Sequence, residues 1–212
     1  ELWTEHRRAT DAAIRHMKQP YDALNYGKRR IDTALEEARK STQRWQAGNI
    51  TADKIRKLRI TGDKDTGLPG DLTADIVTRD IGTVTVSGDV TNSMFDLMLA
   101  IDPKRALTKM TVIGSMIDSE IRSRVDLGTL TFGAVRHSNI FAGVRDTVQG
   151  LPTSAGDFQP LSEIRRLRIK GIQGQAFTMV NTNIAAWILN DITLIGVQNV
   201  NYGVEFGLAA NQ

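Results

Sequence analysis

The stretch Ile81-Gly82-Thr83-Val84-Thr85-Val86-Ser87-Gly88 decides the fold, because its apolar skeleton recurs along the chain. The skeleton consists of one apolar residue, two intervening residues, a second apolar residue, one intervening residue and a third apolar residue. Six copies occur: Ile55/Leu58/Ile60, Ile81/Val84/Val86, Leu107/Met110/Val112, Leu127/Leu130/Phe132, Ile164/Leu167/Ile169 and Leu189/Ile192/Leu194. A glycine follows the first apolar residue by seven positions in five copies and by six in the Leu127 copy. Such self-similarity is the sequence signature of a repeat architecture.

The spacing of the copies predicts a parallel β-helix. Successive copies begin 26, 26, 20, 37 and 25 residues apart, which is about the length of one coil. Alternation in Val84-Thr85-Val86 places aliphatic side chains on one face and threonine on the other. Residues 149–157, inside the longest step, are dense in turn formers and predict a loop there rather than an extra coil. We therefore expect a mainly β fold, a single-chain, right-handed parallel β-helix (solenoid) over residues 48–212.

A second motif accompanies the skeleton. Gly48-Asn49-Ile50-Thr51-Ala52-Asp53 is nearly duplicated by Gly70-Asp71-Leu72-Thr73-Ala74-Asp75, and Gly88-Asp89-Val90-Thr91 echoes both. These copies predict that each coil contains a glycine turn followed by a strand.

Residues 1–47 differ from the remainder, since they lack the skeleton and are rich in good helix formers. Apolar residues recur at seven-residue spacing and predict an amphipathic stripe. Pro20 breaks the pattern into two helices. We expect this helical head to cap the open end of the first coil, because solenoids need covered ends. Oligomerisation through the stripe is the main alternative.

Composition restricts the class of protein. The chain has no cysteine, which excludes disulfides and thiolate chemistry, and no apolar run long enough for a transmembrane helix. Residues 1–47 carry ten Lys/Arg and seven Asp/Glu, whereas residues 48–212 carry seventeen of each, so the repeat region has no excess positive charge for binding nucleic acid. Because the chain starts at Glu1 without an apolar leader, we expect a processed or truncated product.

The repeats also resemble those of a known group of proteins. The segments 81–93 (IGTVTVSGDVTNS), 127–143 (LGTLTFGAVRHSNIFAG) and 161–197 (LSEIRRLRIKGIQGQAFTMVNTNIAAWILNDITLIGV) resemble coils of the repeat-rich parallel β-helix domains of large exported bacterial surface proteins. The resemblance covers residues 48–212 and does not include the helical head. It implies an extracellular or cell-surface location, with other protein subunits or surface glycans as partners.

The outward positions of the skeleton strands are the first place to look for chemistry, because equivalent positions of stacked coils form ladders. Twelve residues occupy them: Lys57, Arg59, Thr83, Thr85, Lys109, Thr111, Thr129, Thr131, Arg166, Arg168, Asp191 and Thr193. Only one of the twelve is an acid. A glycoside hydrolase needs two carboxylates flanking the scissile bond, which this surface does not supply.

A candidate acid–base pair lies on the following strand. The fourth position after the glycine holds Asp118 and His137 on adjacent coils, which are predicted to be neighbours. Counting four and five positions from the glycine predicts a polar corner with a serine ladder: Asn92 and Ser93, Asp118 and Ser119, and His137 and Ser138. Asp beside His is the beginning of acid–base machinery. The alternative is a hydrogen-bonded polar ladder along the solenoid edge, and we consider Asp118 and His137 the only candidates for catalytic residues.

Two further groups are candidates for binding. Asp63, Asp65 and Asp71 lie in a Gly- and Pro-containing loop that resembles the opening of an oxygen-rich calcium loop, and a plain turn is the alternative. Calcium is accordingly the one candidate cofactor. Arg166, Arg168 and Lys170 present positive charge from one coil and suit an acidic polysaccharide or a partner protein, with a solvated strand face as the alternative.

Two functions follow as expectations. The first is a non-catalytic structural or adhesive β-solenoid module within a larger exported assembly, which binds partner proteins or glycans through its lateral faces. The second is a polysaccharide-active lyase or hydrolase of the β-helix type. The first is favoured, because catalysis needs a nucleophile, a base and a charge stabiliser that converge.

Overall fold

The computed structural model describes residues 48–100, 105–198 and 205–211, and these are mainly β. Their strands are β1 (Ile50–Ile60), β2 (Ile76–Val86), β3 (Val90–Thr91), β4 (Met94–Leu97), β5 (Leu107–Ile117), β6 (Glu120–Ser123), β7 (Leu127–Arg136), β8 (Asn139–Ala142), β9 (Glu163–Ile169), β10 (Met179–Val180), β11 (Asn183–Ala186), β12 (Ile188–Leu194) and β13 (Gly207–Ala210). Within these ranges the one helix is a 3-10 turn, Ala155–Asp157. The predicted helical head lies outside the described residues. No described helix is long and apolar enough to cross a membrane.

The strands form one sheet, and every pairing between them is parallel. The skeleton strands stack in the order β1-β2-β5-β7-β9-β12, and β4-β6-β8-β11-β13 form a second stack. Strand β2 joins the two stacks, because its first residues pair with β4 and its later residues pair with β5. The short strands β3 and β10 pair with the last residues of β5 and β7, and these pairings form a third side of the fold. The result is a nearly closed, all-parallel sheet, which is consistent with a β-helix-like fold.

The predicted skeleton is confirmed in all six copies, since equivalent apolar residues lie opposite one another in every pairing. The residues predicted to lie inside are fully buried: Val84, Val86, Leu130, Phe132, Leu167 and Ile169. Parallel strands that are packed on their inner side need this uninterrupted apolar ladder to bury surface along the stack.

The glycine spacing has a structural counterpart. Between β5 and β7 the register shifts by one residue after Val112, so that Ser115 lies opposite Ala134. The shift occurs where the glycine follows Leu127 by six positions rather than seven. The shorter spacing is thus accommodated by a bulge in β5.

The longest step between copies holds a loop, as predicted, because β7 pairs directly with β9 and leaves no room for an extra coil. Residues 143–162 fold over the outside of the β6-β8-β11 stack. They bury a second small apolar cluster of Phe141, Val144, Phe158 and Ala185, with Trp187 packed against it.

The three glycine motifs do not all occupy the same place in their coils. Leu72 lies opposite Val90, so the motifs at 70–73 and 88–91 do stack. Ile50 lies opposite Ile76, on a different side of the sheet. The physical reason is the aspartate ladder: the amide of Asp89 donates to Asp71 Oδ1 (2.8 Å), and the amide of Ser115 donates to Asp89 Oδ1 (2.7 Å). Asn49 has no place in that ladder.

Candidate functional site

The outward side of the skeleton strands is a continuous polar surface, which we call the outer skeleton face. It comprises the twelve residues at the outward positions of β1, β2, β5, β7, β9 and β12, namely Lys57, Arg59, Thr83, Thr85, Lys109, Thr111, Thr129, Thr131, Arg166, Arg168, Asp191 and Thr193. The strand register aligns these residues in two rows, one starting at Lys57 and the other at Arg59. Neighbouring residues in a row are about 4.8 Å apart, and the two rows are about 6.6 Å apart. The face holds five bases, six threonines and one acid.

Arg166, Arg168 and Lys170 were predicted to point outward together, and all three are exposed. Stacking adds a contact that the sequence did not reveal. Asp191 on β12 lies opposite Arg166, its Oδ2 atom is 2.5 Å from Arg166 Nε, and the same oxygen is 3.8 Å from an Arg168 terminal nitrogen. Asp191 therefore partly neutralises this end of the face. Each guanidinium has five N–H donors, so both arginines retain donors for a ligand.

The other cations of the outer skeleton face have no acidic neighbour of this kind. Lys57, Arg59 and Lys109 are exposed and make no ion pair with any residue of the described ranges. An exposed, unpaired cation keeps its charge available to an anionic ligand.

Asp118 and His137 are brought together as predicted. They occupy equivalent corner positions on adjacent coils, both with positive φ (47°), and Asp118 Oδ1 lies 3.6 Å from His137 Nδ1. Asn92 and Asn181 occupy the same corner on the flanking coils, with φ of 49° and 43°. Asparagine and aspartate tolerate this left-handed conformation better than most residues do. About half of each side chain in the Asp118–His137 pair is exposed.

The predicted serine ladder lies directly behind this pair. The amide of Ser93 donates to Ser119 Oγ (3.1 Å), and the amide of Ser119 donates to Ser138 Oγ (3.1 Å). The Ser119 hydroxyl donates to the carbonyl of Ile117 (2.7 Å), and the Ser138 hydroxyl donates to that of Arg136 (2.6 Å). Because these buried hydroxyls satisfy the backbone at the corner, none of them serves His137 as a nucleophile would. The hydrogen bonds of these serines are those expected of a polar ladder along the edge of the solenoid.

The three aspartates proposed for calcium are not gathered into one site. Asp63 Oδ1 accepts a hydrogen bond from the amide of Asp65 (2.9 Å), which holds the pKa of the Asp63 carboxyl below its usual value. Asp71 Oδ1 is engaged by Asp89 on the next coil. In the described part of the chain, no three His, Asp or Glu side chains cluster in a way that could hold a metal ion. Calcium binding by Asp63, Asp65 and Asp71 stays a prediction.

Two further carboxylates, which no sequence motif singled out, lie close together at the start of β7 and β9. Asp126 and Glu163 precede Leu127 and Ile164, whose strands pair, and Asp126 Oδ1 accepts a hydrogen bond from the amide of Glu163 (2.9 Å). Burial raises the pKa of the Asp126 carboxyl, and the charge of Glu163 adds to the rise. In the sequence, each of these acids directly precedes the first apolar residue of its skeleton copy, and this shared position could have identified the pair. Since Asp126 links neighbouring coils, its role is structural.

Comparison with known proteins adds no assignment. Neither a scan against protein-family models nor searches of curated proteins and of solved structures found a match to this chain. The function must therefore be argued from the geometry of the described residues.

Proposed function

We propose that this chain is a non-catalytic structural or adhesive β-helix module, exported to the cell surface as part of a larger assembly, which binds glycans or partner proteins through its lateral faces. The single observation that supports this is the outer skeleton face, where parallel register aligns five cations and six threonines in two regular rows. A rigid array of donors whose spacing is fixed by the backbone binds a polymer with little ordering cost.

The character of this face fits an acidic ligand. Its cations lie on rigid strands, and its threonine hydroxyls both donate and accept hydrogen bonds. Its lone acid, Asp191, is already paired with Arg166. An anionic polymer thus meets positive charge on three of the six skeleton strands, β1, β5 and β9.

The test is binding of the full chain to a sulfated glycan such as heparin, measured by calorimetry. We expect measurable affinity that falls as salt is raised, because exposed charges are screened by ions. The double change Arg166→Ala with Arg168→Ala should weaken binding roughly two- to thirtyfold, since each of the two exposed ion pairs contributes about 0.2 to 1 kcal/mol.

The matched control is Arg124→Ala, which removes an exposed arginine outside the outer skeleton face. It should leave the affinity nearly unchanged. If Arg124→Ala costs about half as much binding free energy as the double change, the loss per charge is the same in both variants; binding then follows net charge alone, and the face is not the binding surface.

A second function rests on a specific observation, the 3.6 Å approach of Asp118 to His137. A polysaccharide lyase or hydrolase would use this pair as acid and base. We expect no turnover of pectin, alginate or glycosaminoglycans, measured as new reducing or unsaturated ends. Product that forms with the wild type and is lost in Asp118→Asn or His137→Ala would replace the binding module with the enzyme.

A further inference from the structure

The cations of the outer skeleton face occur on alternate coils. In stacking order the skeleton strands are β1, β2, β5, β7, β9 and β12. Strands β1, β5 and β9 carry all five bases, whereas β2 and β7 carry threonine at both outward positions. The bases are Lys57 and Arg59 on β1, Lys109 on β5, and Arg166 and Arg168 on β9.

A third row follows this alternation on β1 and β9 but carries the uncharged Thr108 on β5. The residues between the first and second apolar positions include Arg56 on β1 and Arg165 on β9, with Gly82 on β2 and Gly128 on β7. A Cβ atom at Gly82 would collide with the carbonyl oxygen of Arg56, and one at Gly128 would collide with that of Thr108. The close approach of the coils thus forbids a long cationic side chain in this row on β2 and β7.

The alternation of cationic and threonine coils sets the distance at which acidic groups should recur along the ligand. Neighbouring strands are about 4.8 Å apart, so cationic coils recur about every 9.6 Å and the three of them span about 19 Å. An extended sugar unit is about as long as one coil spacing. A linear glycan lying along the stack therefore places one sugar over each coil.

We propose that the ligand of the outer skeleton face is a linear acidic glycan in which charged and uncharged sugars alternate, lying along the stacking axis from β1 to β9. This rests on the proposed binding function and specifies its ligand. Acidic groups lie over the cations of β1, β5 and β9, and uncharged sugars meet the threonine hydroxyls of β2 and β7. The site ends at β9, because the next strand, β12, carries Asp191 and no cation at its outward positions and so offers no partner to an acidic group.

A glycan with an acid on every sugar fits this surface less well. Of five consecutive carboxylates from β1 to β9, the two over β2 and β7 would lie above Thr83 and Thr85 or above Thr129 and Thr131, and neither of those strands carries a cation at its outward positions. Desolvation of an anion without a partner is unfavourable. The total charge of the ligand favours the glycan with an acid on every sugar. The spacing of the cations favours the glycan with an acid on alternate sugars.

The experiment compares three probes on the full chain at about 150 mM salt, where long-range attraction is screened. The first is a hyaluronan oligosaccharide, with acid on alternate sugars, and the second is an oligogalacturonate with the same number of sugars. Polyglutamate is the third and represents an acidic polypeptide. We expect the hyaluronan fragment to bind most tightly although it carries half the charge of the oligogalacturonate.

Variants test the spacing directly. Lys109→Thr removes the middle cation and should weaken hyaluronan binding roughly two- to fivefold. Thr83→Lys combined with Thr129→Lys fills the intervening coils and should shift the preference to oligogalacturonate. The control, Thr147→Lys combined with Gly150→Lys, adds the same charge on the exposed loop 143–162 and should leave the preference unchanged.

Each result has a defined meaning. Tighter hyaluronan binding that Thr83→Lys and Thr129→Lys reverse supports the alternating glycan. Equal or tighter binding of oligogalacturonate or of polyglutamate to the wild type overturns it while leaving the face as a binding surface. Failure to bind any acidic polymer, heparin included, overturns the proposed acidic-glycan function together with this inference.

Discussion

Val86→Asp should abolish the folded state of the repeat region. Val86 is fully buried, and it lies between Ile60 and Val112 in an inner ladder made of aliphatic side chains. A carboxylate there has no partner and must either stay charged in an apolar interior or take up a proton, and both are costly. The penalty of about 4 kcal/mol or more is comparable to the whole stability of a typical domain. Circular dichroism during thermal unfolding measures it.

The matched control is Thr85→Asp, the next residue on the same strand. Thr85 points outward and is only partly buried, so the same carboxylate stays in contact with water. We expect its midpoint of unfolding to stay close to that of the wild type. A Val86→Asp protein that melts like the wild type would refute the inward register.

Arg122→Ala should produce the second largest loss, because Arg122 fastens the loop 143–162 to the sheet. Its guanidinium donates to the carbonyls of Arg145 (2.8 Å) and Val148 (2.9 Å), pairs with Glu120 and lies 4.9 Å from the centre of the Phe141 ring. Only 4% of Arg122 is exposed. Removing one member of a buried charged network typically costs about 3 to 5 kcal/mol.

Urea unfolding together with limited proteolysis of the loop measures this effect. We expect a lower midpoint and faster cleavage within residues 143–162. Arg124→Ala, two residues away and exposed, should shift the free energy of unfolding by less than about 0.5 kcal/mol. If both variants resist cleavage like the wild type, the loop is held by its apolar cluster instead.

The residues with positive φ at the corner show which positions can be predicted by counting from the preceding glycine and which cannot. Asn92, Asp118 and His137 were found by counting from the preceding glycine, and their stacking is confirmed. Asn181, the equivalent residue on the next coil, was missed because it lies ten positions after Gly171 rather than four. The additional residues form a turn between β9 and β10, which breaks the count but leaves the corner conformation intact.

Arg122 illustrates the opposite case. No repeat motif singles out Arg122, which lies on β6 outside the skeleton strands. The loop 143–162 returns over it and supplies two backbone carbonyls from residues more than twenty positions away. No local pattern encodes such a contact, since a loop's path depends on what it packs against.

The sequence by itself determined the inward register, the number of skeleton strands and the nature of the long step as a loop. It could do so because a period of two and an apolar ladder are local properties, and a slip of one residue would bury the threonines and expose the aliphatic side chains. The alternation of cationic and threonine copies is likewise present in the order of the six copies. Only the tertiary structure decided which glycine motifs stack and that Asp191 partly neutralises Arg166. Those features depend on which coil lies next to which, and coils of unequal length bring together residues whose separation in the sequence follows no constant interval.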